Sequence, residues 1–212
     1  EIDLVEDIAI AYGYENFKEE IPNISTVGKE SDKSRFNRKI SEILIGLGFL
    51  ECSSVSLSSE DVLNKKMNVK NKLVKVESPV NQDYDTLRNS ILPSLLQILT
   101  GNKRYEYPQN IFEIGKVFYN VSDKNSLGIL VTGNFTFIKQ SLDALFSLID
   151  LKHEVKEEEH RSFISGRCGK IFVDEKEVGI IGEINPLVLS NFGIEVPCSG
   201  LELDIDGLFE FI

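Results

Sequence analysis

The sequence has 212 residues, of which 42% are hydrophobic and 27% charged, and these values indicate a globular protein rather than a disordered chain. It contains no apolar run of about 18 residues and no basic region of a signal peptide at its N-terminus, so we expect an unexported protein of the cytoplasm. The formal net charge is −11, and residues 121–212 hold 8 basic against 16 acidic residues, which disfavours binding of nucleic acid by that half.

The N-terminal part is predicted to lie outside the main domain. Apolar residues at helical spacing predict a helix over residues 3–11, and the stretch that follows has Pro, Gly and polar residues without periodicity. We therefore expect residues 1–20 to be the last helix of a preceding module, residues 21–30 a linker, and residues 31–212 a core domain. A start within a helix and without Met indicates a piece of a longer protein.

The core domain mixes helices and strands. Helices are predicted over residues 35–47, 91–103, 139–150 and 186–191, and strands over residues 49–56, 69–76, 110–119, 127–132, 167–173, 178–184 and 201–205. Two of these strands are close enough to form a hairpin, with residues 174–177 as its polar turn. The predicted fold class is α+β with a largely antiparallel sheet flanked by helices.

Nucleophilic catalysis has little support in the sequence. The histidines are His153 and His160, which flank a run of three glutamates and are interpreted as solvated residues rather than as catalytic groups or metal ligands. Glycine spacings that cradle phosphate groups are absent from the sequence. The cysteines Cys52, Cys168 and Cys198 lie far apart, so we expect reduced thiols rather than a disulfide or a zinc site.

Three carboxylates lie close together in the first predicted helix. Asp3, Glu6 and Asp7 fall within about one helical turn, where their oxygens would suit a hard cation such as Mg²⁺. Acidic residues in the first turn of a helix also complement its dipole without any metal. The spacing leaves both interpretations open.

Several segments, in this order, resemble one family of proteins. Residues 78–96 (Ser-Pro-Val-Asn-Gln-Asp-Tyr-Asp-Thr-Leu-Arg-Asn-Ser-Ile-Leu-Pro-Ser-Leu-Leu) and 110–118 (Asn-Ile-Phe-Glu-Ile-Gly-Lys-Val-Phe) are similar to the beta subunit of phenylalanyl-tRNA synthetase, in its archaeal or eukaryotic form. Residues 182–194 (Gly-Glu-Ile-Asn-Pro-Leu-Val-Leu-Ser-Asn-Phe-Gly-Ile) and 201–206 continue the resemblance. Residues 3–14 look like the end of the metal-binding module that precedes the core in this family.

The resemblance implies a class II synthetase-like fold that has lost its active site. The strand that carries an Arg for the ATP phosphates in catalytic class II cores has Glu113 and Gly115 in that place, and residues 200–212 contain no Arg. Without these cations the charge on ATP has no preorganised partner. We therefore expect a domain that is not an enzyme by itself, with ATP bound only at the alpha subunit.

The resemblance also implies partners and sites. The helix over residues 35–47 corresponds to the dimer-forming motif of class II cores, so Phe36, Ile40, Ile43 and Leu47 are predicted to meet the catalytic alpha subunit in a heterotetramer of two alpha and two beta subunits. From the pattern alone, the same residues could instead face their own core. Asp3, Glu6 and Asp7 match carboxylates implicated in Mg²⁺ binding, with a fourth ligand expected before residue 1.

Two other functions stay open at this stage. The chain could be a free-standing adenylate-forming enzyme of class II type, although the missing arginines argue against that. It could also bind RNA directly through basic residues at 33–39 and 65–75, although little direct binding of tRNA(Phe) is expected from so acidic a chain.

Overall fold

The computed structural model describes residues 1–25, 27–120 and 122–212. The chain divides into two compact units, Glu1–Glu30 and Ser31–Ile212. In the smaller unit, helix α1 (Ile2–Tyr12) has no buried residue, and the rings of Tyr12 and Phe17 meet edge to face at 5.2 Å. None of the helices in the described residues is long and apolar enough to cross a membrane.

The larger unit alternates helices and strands along the chain. Its described helices are α2 (Asp32–Gly46), α3 (Leu92–Gly101), α4 (Phe135–Leu148), α5 (Pro186–Phe192) and α6 (Ile205–Phe209). Its described strands are β1 (Leu50–Glu51), β2 (Leu57–Ser58), β3 (Val74–Lys75), β4 (Thr86–Leu87), β5 (Asn110–Tyr119), β6 (Ser122–Thr132), β7 (Glu154–Glu157), β8 (Phe163–Val173), β9 (Lys176–Ile184) and β10 (Cys198–Asp204).

Most of the strands form one large sheet. Seven described strands pair in the order β1-β5-β6-β10-β9-β8-β7, and a second, small sheet has the order β2-β4-β3. Only β1 and β5 run parallel among the described pairs of the large sheet, and its other neighbours are antiparallel. The predicted α+β class, an antiparallel sheet flanked by helices, is confirmed.

Helices cover both faces of the large sheet, and each face has its own hydrophobic core. The first core joins α2, α4 and α6 to one face, with Phe112, Ile129 and Leu201 among its sheet residues. The second core joins α3 and α5 to the other face, with Ile111 and Leu130 from the same strands. Because side chains alternate across a strand, neighbouring residues of β5 and β6 enter different cores.

Local sequence accounts for the start of α2 and for the turn between β8 and β9. Helix α2 begins after Ser31, whose Oγ accepts a hydrogen bond from the Ser34 backbone N–H at 3.1 Å. The β8–β9 hairpin turns through Asp174 and Glu175, with φ of 45° and 68°. This pair of left-handed residues makes a tighter turn than the predicted four-residue connection, so β9 begins two residues earlier than expected.

Two predicted strands are much shorter in the structure. The strand expected over residues 49–56 is reduced to β1, and the strand expected over residues 69–76 is reduced to β3. Between them lies a π-helical turn, Asp61–Lys66, that periodicity does not indicate.

Candidate functional site

The strand β5 carries the position at which the resemblance places a phosphate-binding arginine. Ile111 and Val117 belong to the core under α3, so Glu113 and Gly115, which alternate with them, face the same side of the sheet. Glu113 is buried, with 3% of the residue exposed. A buried carboxylate therefore occupies the face on which ATP chemistry would need a cation.

A buried ion pair neutralises this carboxylate. The Glu113 Oε1 lies 2.7 Å from Nη1 of Arg88, and both side chains are nearly inaccessible. The Ser54 hydroxyl donates to Glu113 Oε2 at 2.6 Å and accepts from Arg88 Nη1 at 2.7 Å. The Arg88 Nε donates to the Lys116 carbonyl at 2.9 Å. The guanidinium is thus bound within its own chain rather than directed toward a ligand.

Gly115 provides the space in which Arg88 lies. A Cβ at this position would come 2.2 Å from Nη2 of Arg88. The strand thus has a glycine where the Arg88 guanidinium crosses it. Glu113 and Gly115, the two residues that differ from the catalytic pattern in the resemblance, both contact Arg88. Arg88 lies within the segment 78–96 that carries the family resemblance, but the sequence alone indicates no role for it. Its partner is 25 positions away, so the pairing leaves no periodic signal.

A second carboxylate on the same side of the sheet anchors helix α3. The Glu202 side chain accepts hydrogen bonds from the backbone N–H groups of Ile91 and Leu92, at 3.1 and 3.4 Å, and from the hydroxyls of Ser90 and Ser126, at 2.5 and 3.1 Å. Burial raises the pKa of Glu202 above its ordinary value, and these hydrogen bonds oppose the shift. Because α3 is held by this contact, it stays packed on the face that holds Glu113.

The four residues predicted to meet the alpha subunit lie in or against a hydrophobic core of their own chain. Phe36 and Ile40 lie in the hydrophobic core with 6% and 0% exposure, while Ile43 and Leu47 are partly buried against the same core. The apolar stripe of α2 therefore faces its own sheet, which is the alternative that the pattern left open. The stripe packs inward because this face of the sheet carries apolar side chains, which α2 shields from water.

Other apolar residues near the same helix and strand are exposed. Ile45, near the end of α2, is 53% exposed, and Leu50, in the edge strand β1, is 67% exposed. Phe137 of α4 is also partly exposed, and its ring stacks on Phe49 at 5.6 Å. Exposed apolar side chains thus lie at Ile45 on α2, Leu50 on the edge strand β1 and Phe137 on α4.

The three N-terminal carboxylates do not form a built metal site. Asp3, Glu6 and Asp7 are all exposed on α1. Within residues 1–25, 27–120 and 122–212, no group of three or more His, Cys, Asp or Glu side chains is arranged to hold a metal ion. Magnesium binding by these residues stays a prediction.

The two histidines differ in environment. The interpretation of His153 as solvated is wrong: its side chain is 12% exposed, lies on the Phe146 ring and contacts Asp143 at 3.0 Å. Burial lowers the pKa of His153. His160 is exposed as a residue, as expected, but its ring lies 5.4 Å from that of Phe163, and partial burial of the ring lowers its pKa as well. The helical spacing of Phe146 was the available signal, since its ring lies 4.4 Å from that of His153.

The three thiols are free, as expected. Burial raises the pKa of Cys168 to about 11 and that of Cys198 to about 12, and burial together with Glu113 raises the pKa of Cys52. Since the thiolate is the reactive form, none of the three has the environment of a cysteine nucleophile.

Comparison with protein families and curated proteins gives consistent similarities. The family model described as "Phenylalanyl tRNA synthetase beta chain CLM domain" matches residues 18–205. The chain is 38% identical over 219 residues to the phenylalanine–tRNA ligase beta subunit of Pyrococcus abyssi, covering 98% of this chain and 39% of that protein. It is 40% identical over 217 residues to the corresponding subunit of Methanocaldococcus jannaschii, covering 97% and 40%. The chain thus spans about two fifths of the length of these relatives.

Solved structures share the fold at low sequence identity. The crystal structure of pyrrolysyl-tRNA synthetase from Desulfitobacterium hafniense superposes with a TM-score of 0.72 at 14% identity, over 85% of this chain and 69% of that chain. A second structure from the same organism, described as a pyrrolysyl-tRNA synthetase, superposes with a TM-score of 0.70 at 15% identity. Over most of its length the chain therefore shares the fold of these structures.

Proposed function

Because the chain belongs to the family of the phenylalanyl-tRNA synthetase beta chain, we propose that it is a non-catalytic synthetase-like domain that pairs with the catalytic alpha subunit. In this role it supports the charging of tRNA with phenylalanine in a cytoplasmic heterotetramer, with ATP bound at the alpha subunit. The observation that carries the proposal is the buried Arg88–Glu113 pair. It supports the proposal because the guanidinium of Arg88 is held inside its own chain, on the face of β5 where the resemblance implies an arginine for ATP.

The surface formed by Ile45, Leu50 and Phe137 is the proposed contact with the alpha subunit. Ile45 and Leu50 are more than half exposed. Exposed apolar side chains at a sheet edge are favoured at protein interfaces because burial there removes them from water. The surface includes Ile45 of the helix that carries the predicted stripe of Phe36, Ile40, Ile43 and Leu47, Leu50 of the strand that follows it, and Phe137 of α4.

RNA binding by the basic segments is not favoured. Lys33 lies 3.1 Å from Asp206, Arg35 lies 2.6 Å from Asp32, and Lys75 lies 2.6 Å from Glu60. Lysines and arginines that are already paired with carboxylates contribute less to the release of counterions from a nucleic acid. These ion pairs support a role in protein contacts rather than in direct binding of tRNA.

The test of the proposed contact is complex formation with an alpha subunit of the same family. The chain and its Ile45→Asp and Leu50→Asp variants would each be mixed with the alpha subunit, and the mass of the product measured by light scattering after gel filtration. Leu187→Asp is the matched control, because Leu187 is also 53% exposed but lies on α5, on the other face of the sheet. We expect the control to bind like the unmodified chain and the other two variants to bind at least about tenfold more weakly.

The catalytic part of the proposal has a separate test. ATP-dependent exchange of pyrophosphate should be absent from the isolated chain and should appear only when the alpha subunit is present. Exchange by the isolated chain would overturn the non-catalytic role. The proposed contact surface would be overturned if Ile45→Asp, Leu50→Asp and Leu187→Asp all weakened the complex equally, or if none of them weakened it.

A further inference from the structure

Four cations without carboxylate partners lie along α5. They come from segments that are distant in the sequence, and they are Lys66, Lys103, Arg104 and Arg161. Among the described residues none of the four forms an ion pair, whereas cations elsewhere in the larger unit commonly lie against a carboxylate, as Lys75 does at 2.6 Å from Glu60. In a chain with a net charge of −11, such a group concentrates positive charge at one place on the surface.

Arg161 lies beside the start of α5. It lines the same small pocket as Asn185, the N-cap residue of this helix. Its carbonyl accepts a hydrogen bond from the side chain of Asn68 at 3.4 Å, which joins it to the segment of Lys66. The helix dipole does not explain a cation at this end, because the N-terminus of a helix favours negative charge.

The end of α5 lies beside Lys66 and Lys103. The Asn191 side chain donates a hydrogen bond to the Lys66 carbonyl at 3.0 Å, and Lys66 Nζ lies 5.5 Å from the centre of the Phe192 ring. Gly193 ends the helix, and Lys103 Nζ lies 3.3 Å from the position that a Cβ of residue 193 would take. These contacts arrange the four cations as one row along α5, which we call the cationic row.

Two exposed tyrosines extend the cationic row. Tyr105 and Tyr107 follow Arg104 in the loop between α3 and β5, and they are 71% and 43% exposed. Tyrosine and arginine are enriched among the residues that dominate protein–protein interfaces, because their side chains combine a large contact area with polar groups. The row thus ends in a loop that offers both charge and ring surface to a partner.

We propose that the cationic row and the two tyrosines bind a short acidic segment of a partner protein. Carboxylates of the segment pair with Lys66, Lys103 and Arg104, and an apolar side chain of the segment packs on Tyr105. Because these cations have no acidic partner in their own chain, binding breaks no existing ion pair.

The cationic row is separate from the proposed contact with the alpha subunit. It lies with α3 and α5, which cover the face of the sheet opposite to α2 and α4. Its test therefore does not depend on the surface formed by Ile45, Leu50 and Phe137.

A nucleic acid fits the cationic row less well than a short acidic segment does. A single strand of RNA has a negative charge at every nucleotide, so it would continue beyond the row. Acidic residues lie there: Glu159 lines the pocket that Arg161 lines, Glu106 separates the two tyrosines, and Glu195 is exposed just after α5. A segment with few carboxylates can end before it meets this negative charge.

Three fluorescent probes test which kind of partner binds. The first is a short peptide in which Asp and Glu surround one Phe, and the second is the same peptide with Asn and Gln in place of the acids. The third is an oligouridylate with as many phosphates as the first peptide has carboxylates. Each would be titrated with the chain and followed by fluorescence anisotropy.

We expect saturable binding of the acidic peptide, with the neutral peptide and the oligouridylate each binding at least about tenfold more weakly. Absence of saturable binding by the acidic peptide, or equal binding of the two peptides, would overturn the proposal. Binding of the oligouridylate as tightly as the acidic peptide would assign the row to nucleic acid and would overturn it as well.

Variants at exposed positions assign the binding to the cationic row. Lys103→Glu and Arg104→Glu each reverse one charge of the row and should weaken binding of the acidic peptide at least about fivefold. Tyr105→Ala removes the ring and should weaken it at least about threefold. Lys39→Glu is the matched control, because Lys39 is also exposed, forms no ion pair among the described residues and lies on α2.

The control makes the same change in net charge, so it should bind like the unmodified chain. Equal weakening by Lys39→Glu and Lys103→Glu would show that binding follows net charge alone and would overturn the assignment. Unchanged binding in both Lys103→Glu and Arg104→Glu, with folding verified by circular dichroism, would also overturn it.

Discussion

Arg88 and Glu113 form an ion pair with 2.7 Å between Nη1 and Oε1, and the two side chains are 2% and 3% exposed. The pair joins the segment before α3 to the strand β5. Taking both charges out of water is unfavourable, and the pair is tolerated because Ser54 and the Lys116 carbonyl satisfy further donors and acceptors of the cluster. The stability of this half of the sheet therefore depends on keeping both partners.

Removing one partner should destabilise the chain strongly. Glu113→Leu leaves the Arg88 charge buried without compensation, and we expect a loss of about 3–5 kcal/mol in the free energy of unfolding. The double variant Arg88→Met with Glu113→Leu should lose less than Glu113→Leu alone, because no unpaired charge remains. Urea unfolding monitored by circular dichroism measures both.

A surface pair of the same chemistry provides the comparison. Arg167 and Glu183 lie 2.6 Å apart, but the Arg167 side chain is 61% exposed. Arg167→Met should change the free energy of unfolding by less than about 1 kcal/mol. If Glu113→Leu proved as mild as Arg167→Met, the buried pair would not have the structural role described.

The glycine beneath Arg88 should not tolerate a side chain. Gly115→Ala places a Cβ 2.2 Å from Nη2 of an arginine that hydrogen bonds hold in position. We expect a loss of about 1–3 kcal/mol from overpacking, measured by thermal or urea unfolding. Gly101→Ala, at the end of α3 with no atom within 4 Å of the added Cβ, is the control and should be neutral or stabilising by up to about 1 kcal/mol. Equal effects of the two substitutions would contradict the crowding at Gly115.

Phe36 and Ile45, both on α2, should affect different properties: Phe36 the stability of the chain, and Ile45 the complex with the alpha subunit. Phe36→Ala empties part of the core and should cost about 3–5 kcal/mol of stability. Ile45→Ala, at an exposed position, should change stability by no more than about 0.5 kcal/mol while weakening the complex with the alpha subunit. Unfolding curves and light scattering on the same protein samples separate the two effects. If Phe36→Ala kept full stability, the assignment of Phe36 to the core would be wrong, and the predicted contact of Phe36 with the alpha subunit would be favoured instead.

The environment of His153 predicts a dependence of stability on pH. Burial lowers its pKa, with a contribution from Lys139 and an opposing one from Asp143, so the unfolded chain binds the proton more readily than the folded chain. The stabilising contribution is present above the unfolded pKa of about 6.5 and is lost as the pH falls through the lowered folded pKa. His160, whose pKa is also lowered, is retained in the variant below, so its contribution cancels in the comparison.

The measurement compares the unmodified chain with His153→Leu. Between about pH 7.5 and about pH 5.5 the unmodified chain should lose more unfolding free energy than the variant, because the variant has no proton to bind at this position. Parallel losses in the two proteins would show that His153 does not contribute in this pH range.

The elements that could be predicted from the sequence are those whose pattern is local. The strand β5 occupies the predicted residues 110–119, because apolar and β-branched residues are frequent there. Helix α3 lies within the predicted residues 91–103, because apolar residues at helical spacing follow an early Pro. The strands β1 and β3 were overestimated, since β-branched residues favour extended backbone whether or not a neighbouring strand is there to pair.

The site depends on contacts that no local pattern reveals. An apolar stripe such as Phe36 and Ile40 has the same spacing whether it meets its own sheet or another subunit, and only the presence of the sheet beneath it decides. Arg88 and Glu113 are 25 positions apart, and Glu202 is more than 100 positions from the helix that it anchors. Such pairs follow from the strand order, which a single sequence does not specify.

The place of Gly115 beneath Arg88 constrains which residues the strand β5 can accept. An arginine at position 113 would bury two guanidinium groups against each other, and an arginine at position 115 would require the space that Arg88 already fills. An arginine could therefore enter this face of β5 only together with changes at positions 88, 113 and 115. Each of these changes made alone should lower the free energy of unfolding, so packing by itself disfavours a cationic strand here.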